Sequence, residues 1–109
     1  MKKYTFKQLR NYLPSDFSSI GDINTISFSK INTLSNTDEN SISWIKSSVV
    51  DFEDLIKKTR ANVIIADKKN MNENLSYLNK CIIFVDNPKL IIARITKALF
   101  SDERFHVIQ

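Results

Sequence analysis

Few side chains in this sequence are of types that do chemistry, and their spacing narrows what that chemistry is. Cys81 is the only cysteine and His106 the only histidine. An internal disulfide is therefore impossible, and a Cys–His or Ser–His–Asp arrangement has little to draw on. Gly21 is the only glycine, which removes both the dinucleotide-binding fingerprint and the Walker phosphate loop. Asp51, Glu53 and Asp54 crowd the start of an expected helix, where carboxylates complement the helix dipole. What remains is binding chemistry. Val85-Asp86-Asn87-Pro88 ends the apolar run from Cys81 to Val85. Asn87 is a good helix cap, and Pro88 suits a first turn in which a missing N–H costs nothing. A strand that runs straight into a capped helix leaves backbone N–H groups free at its carboxyl end, where open α/β sheets bind anions and phosphates. Trp44, followed by Lys46, Ser47 and Ser48, is the second such stretch. Both have plainer readings: Trp44 as a half-buried strand aromatic, Asn87 as a cap and nothing more.

The elements that must position these residues follow from periodicity. Cys81–Val85 and Val63–Ala66 are unbroken apolar runs, expected as central strands buried on both faces. After Asn87 a helix is expected with Ile91, Ile92, Ile95, Ala98 and Leu99 on one broad face and Lys89, Arg94 and Lys97 largely off it. Thr5 caps a short helix from Phe6 to Leu13, stopped by Pro14. Ser15 to Gly21 reads as a turn-rich connection. Alternation from Ile23 to Ile31 predicts one strand with a well-buried face, and 32–40 is loop-like. Ile42–Ile45 is a short strand. Ser47 and Ser48 supply caps for the next helix, Ser48 with Asp51 in a capping-box spacing, and Phe52, Leu55 and Ile56 turn to the core up to about Thr59. Asp67 to Asn74 is a surface excursion, expected to be mobile, and Leu75–Leu78 a helical turn. This order predicts a single α/β domain: a small mixed, mostly parallel sheet flanked by helices.

Composition sets the outer limits. The chain has 109 residues, enough for one core and not two. A formal charge of +4 favours an anionic ligand, but the basic residues are scattered along the sequence, which argues against nucleic acid. Cys81 has no metal-ligand companion and reads as a core filler; neither a metal nor a cofactor is expected. Met1-Lys2-Lys3 is not followed by an apolar run of signal-peptide length, and nothing approaches a membrane span. The chain reads as cytoplasmic.

Several fragments together resemble the N-terminal, uridine-binding domain of UDP-3-O-acylglucosamine N-acyltransferase, which adds the amide-linked acyl chain in lipid A biosynthesis. Thr5-Phe6-Lys7-Gln8-Leu9 is similar to the family's opening "TLKEL" helix, and Ile42-Ser43-Trp44-Ile45 to its "I-S-F-L" segment. Ala61-Asn62-Val63-Ile64-Ile65 is similar to its "GA-V-V" strand, and Val85 to Ala93 to its "V-x-N-P-x-L-A-F-A" strand and helix. Order and spacing agree over nearly the whole chain. In that family the uracil lies between the aromatic of the I-S-F segment and the tyrosine of an N-P-x-Y motif. The resemblance implies that Trp44 stacks on the base. It also implies that Ser47, Ser48 and Asn87 offer hydrogen bonds near the ribose or phosphates, with Lys46 and Lys89 adding charge. The second half of the motif differs: Ser47-Ser48 stand in place of Asn-Pro, and Val50 or Asp51 in place of the tyrosine.

The family continues into a left-handed β-helix of hexapeptide repeats that carries the catalytic histidine and the oligomer contacts. No such repeats occur here. Residues 1–100 are expected to form the UDP-sugar-binding-like domain and 101–109 a linker or tail. A binding module without catalytic residues of its own is thus implied, either a piece of a longer transferase or a stand-alone relative. The alternative is a structural or interaction domain without nucleotide binding, with Phe105-His106-Val107-Ile108 as an apolar contact.

Overall fold

The computed structural model describes residues 3–46 and 49–100. Its centre is a five-stranded sheet built from β2 (Ser18–Ile20), β4 (Lys30–Ile31), β5 (Ser41–Trp44), β6 (Val63–Asp67) and β7 (Cys81–Val85), in the order β2-β7-β6-β5-β4. The four strands from β4 to β7 run parallel, and β2 is antiparallel to β7. This is the mixed, mostly parallel sheet that the two apolar runs require. All five residues of β6 and all five of β7 are buried, as a strand with both faces covered must be.

Register decides which side chain meets which layer. Ile42, Val63, Ile65, Ile83 and Val85 face one side and pack under α3 (Pro88–Leu99), against its Ile91, Ile92 and Ile95. Ile64, Ala66, Ile82 and Phe84 face the other and pack under α2 (Phe52–Lys58), against Phe52 and Ile56. The connection from β6 to β7, two turns of 3-10 helix at Lys68–Asn70 and Glu73–Leu78, sends Leu75 into the α2 layer. The segment expected to be a mobile excursion is therefore partly structured, pinned by Asp67 and Asn72, whose side chains cap the two turns.

The amino-terminal third departs from the expected pattern. The expected continuous strand over 23–31 is divided among three elements. Ile23–Thr25 is a 3-10 turn, because Asp22 Oδ1 accepts the Asn24 N–H at 3.0 Å and so offers the backbone an alternative to a ladder. β3 (Ser27–Phe28) pairs antiparallel with β1 (Tyr4–Thr5), while Lys30–Ile31 joins the main sheet as β4. Ser18–Ile20, expected as turn, is instead an edge strand on β7. The first helix is shorter than expected: α1 (Phe6–Leu9) tightens to 3-10 geometry over Arg10–Tyr12. Gln8 Oε1 holds its start by accepting from Thr5 N at 2.9 Å and Thr5 Oγ1 at 2.7 Å.

Candidate functional site

The carboxyl ends of β5, β6 and β7 lie along one edge of the sheet, since Trp44, Ile65 and Ile83 are in register. After β6 the chain leaves toward the α2 layer, and after β7 toward the α3 layer. Loops that diverge to opposite faces from adjacent strands open a crevice at the carboxyl edge, the common ligand position in open α/β sheets.

Trp44 ends β5, is half-buried, and packs against the core on the α3 side. It also borders a hollow of about 340 Å³ whose other lining includes Lys46 and the α2-layer residues Leu34, Val49 and Leu55, at the small end of the range for ligand pockets. Asn87 lies on the same edge, at the start of α3. Its side-chain oxygen accepts the Leu90 N–H at 3.2 Å, so the cap role is met and the amide N–H₂ is the part left for a ligand. Asn87 and Lys89 are exposed and do not line the Trp44 hollow. β5 and β7 are separated by β6, a lateral step of roughly 10 Å, so the two groups share an edge rather than a pocket. Of the six residues singled out from sequence, Trp44 and Lys46 come together, and Asn87 and Lys89 form a second group. Ser47 and Ser48 lie outside the described residues, as does the tail 101–109 with His106.

No aromatic ring stacks on Trp44 among the described residues. Phe52, the nearest aromatic in sequence, packs against Phe84 with ring centroids 6.2 Å apart and belongs to the α2 layer. Val50 is fully exposed at 103%. The described part of α2 has Asp51 as its N-cap residue and Glu53 and Asp54 in the first turn; the Ser48 half of the expected capping box lies outside the described residues.

One residue at this edge was missed from sequence. Lys68 follows β6 directly, and its Nζ lies 2.7 Å from Asp16 Oδ2 and 3.9 Å from Asp86 Oδ1. The hydrogen bond from Lys68 holds the Asp16 carboxyl below its ordinary value, and the same bond raises the Lys68 ammonium. Its position was legible in principle, because it follows one apolar strand as Asp86-Asn87 follows the other. On the same loop Asn70 Nδ2 is buried without a hydrogen-bond partner among the described residues. The edge thus offers an indole face, an amide and three lysines, against the carboxylates of Asp16 and Asp86. That set can stack on a flat ring and pair with an anion; it holds no nucleophile–base pair.

The opposite, amino edge carries a larger cleft of about 570 Å³, lined among others by Gly21, Asp22, Glu39, Asn62, Asn79 and Cys81. Cys81 is 7% exposed, and burial, with a smaller contribution from Asp22, pushes its thiol up to about 12. It is a core filler with an unreactive sulfur.

No protein-family model matches the chain, and no curated protein matches it. Among the described residues no helix is long and apolar enough to cross a membrane.

Proposed function

We propose that this domain recognises a uridine nucleotide, of the kind carried by a UDP-linked acylglucosamine, and supplies no acyl-transfer chemistry itself. The observation that carries the reading is the shared edge: Trp44 and Asn87 close parallel strands β5 and β7 on the same side of the sheet. The span between those strands is comparable to the reach of an extended nucleoside diphosphate from base to terminal phosphate. Uracil stacks on the indole, the diphosphate runs along the strand ends, and Lys46, Lys68 and Lys89 offset the carboxylates there. The resemblance to the lipid A N-acyltransferase domain supports the choice of uracil, since the matching fragments fall on β5, β6, β7 and α3.

Because Trp44 is the only tryptophan, intrinsic fluorescence reports on the base site directly. UMP and UDP should both quench it, UDP at lower concentration, and inorganic phosphate should not. By calorimetry Trp44→Ala should weaken UDP binding by about 1–3 kcal/mol, the worth of one base–aromatic stack, while His106→Ala leaves it unchanged. Fluorescence indifferent to millimolar uridine nucleotide would refute the proposal. The packing of Trp44 against the core and the turning away of Phe52 favour a second reading, an interaction domain without nucleotide binding. That reading predicts a silent titration and a Trp44→Ala variant impaired in stability alone.

A further inference from the structure

The fold brings together two stretches, distant in sequence, that carry no carboxylate. Every Asp and Glu of the described residues lies between Asp16 and Asp86. The flanking stretches 3–15 and 87–100 carry Lys3, Lys7, Arg10, Lys89, Arg94 and Lys97 and no carboxylate. These two stretches are brought together on the α3 side of the sheet. Tyr4 Oη donates to the Leu99 carbonyl at 2.9 Å, and the Tyr4 and Phe100 rings meet edge to face at 5.4 Å. Tyr12 and Leu13 pack into the same core as Ile91, Ile92 and Ile95. All six cations are exposed, and none has an ion-pair partner among the described residues. In the middle of the chain Lys30, Lys57, Arg60 and Lys68 are paired, while Lys46, Lys58, Lys69 and Lys80 form no ion pair among the described residues.

The surface so formed has a definite shape. A groove of about 610 Å³ runs between Tyr12-Leu13 and Arg94, Lys97 and Ala98. On α3, Leu90, Arg94 and Lys97 stand at i, i+4 and i+7, one stripe of the helix, and Leu90 is 44% exposed. An exposed leucine in line with two cations that have no ion-pair partner among the described residues is the pattern of a helix lying on an anionic interface, apolar group inward and cations at headgroup level. Nucleic acid suits this face less well: the rings of Tyr4, Phe6, Tyr12 and Phe100 are buried or half-buried, so it offers no open aromatic for base stacking. We propose that the α1–α3 face docks on an anionic lipid bilayer, with headgroup phosphates held by Arg94 and Lys97. This does not depend on nucleotide binding at the carboxyl edge.

The test is co-sedimentation of the 109-residue chain with vesicles of phosphatidylcholine alone or mixed equally with phosphatidylglycerol. The chain should bind the mixed vesicles, release them in high salt, and ignore the neutral ones. Paired Arg94→Glu and Lys97→Glu should weaken that binding roughly tenfold or more, since each basic side chain near such a surface contributes measurably. The neutral pair Arg94→Gln and Lys97→Gln, milder for the fold, should lose several-fold. Lys58→Glu with Lys69→Glu makes the same change in net charge away from these stretches and should cost much less. Equal binding to neutral vesicles, equal loss in both glutamate pairs, failure to bind either vesicle, or tighter binding to an RNA oligonucleotide would each overturn the proposal.

Discussion

Trp44 ends β5 and Asn87 caps α3. An indole ending a short strand and an Asn-Pro step after an apolar run each have few uses. Phe52 packs against Phe84 in the α2 layer, on the core side that its helical spacing predicts. α2 itself begins after Asp51, its N-cap residue. Gly21 shows how a single position can be fixed by its surroundings. Its φ is +94°, and a Cβ there would sit 2.6 Å from the Lys80 carbonyl oxygen. Gly21→Ala should therefore destabilise by about 1–2 kcal/mol from the backbone conformation alone, with the clash adding to it, read as a lower Tm in a thermal melt. Cys81 makes a chemical prediction. With the folded thiol at about 12 and an ordinary value of 9.0, the unfolded chain ionises first as pH rises. The thiol's contribution to stability is full below 9.0 and declines toward 12. Alkylation at about pH 8 should be slow in the native protein and fast in denaturant; equal rates would contradict the burial.

At the scale of elements, strong apolar runs declared themselves and weak ones did not. β6, β7 and α3 follow from unbroken hydrophobicity and a capped start. β2 is two serines and an isoleucine, with nothing in its composition to separate it from a turn; only pairing with β7 makes it a strand. The region 23–31 alternated as a strand should, but Asp22 redirected the backbone at its start, and neighbours in two different sheets claimed the remainder. Short helices here depend on side chains from elsewhere. Lys80 Nζ donates to the carbonyls of Ile56, at 2.8 Å, and Thr59, satisfying groups that α2 leaves open at its carboxyl end. Lys80→Met should fray the end of α2 and cost about 1 kcal/mol, visible as faster amide exchange at Thr59, whose N–H bonds the Leu55 carbonyl in the last turn. At α3, Asn87→Ala should cost about 1 kcal/mol and Asn87→Ser much less, since serine also caps. Loss of nucleotide binding in a stable Asn87→Ser variant would assign the amide to the ligand rather than to the helix.

Over the whole molecule, the fold class followed from the order of the elements, whereas the meeting of the two acid-free stretches did not. The sequence places the acid-free stretches at positions 3–15 and 87–100, and only the pairing of Tyr4 with Leu99 and Phe100 makes them one surface. Electrostatics also ties distant parts together. Lys68 joins the segment before β2 to the ends of β6 and β7, and Lys30 holds Asp38 beside β4. Hydrogen bonds from Lys68 and Lys30 lower the Asp16 and Asp38 carboxyls from 3.8. Folded values below the unfolded one make this stabilisation complete above 3.8 and lose it as pH falls further. Asp16 is exposed and Asp38 half-buried at the surface, so the acid-induced drop in Tm should be small and should shrink further in Lys68→Met. The central claim concerns the carboxyl edge, and amide-resolved NMR during a UDP titration tests it most directly. The Trp44 indole N–H and the backbone amides of Lys89 and Leu90 should shift together, with one dissociation constant, while the amino-edge residues Gly21 and Asn62 stay still. Shifts confined to the amino-edge cleft, or an indole resonance that never moves, would contradict it.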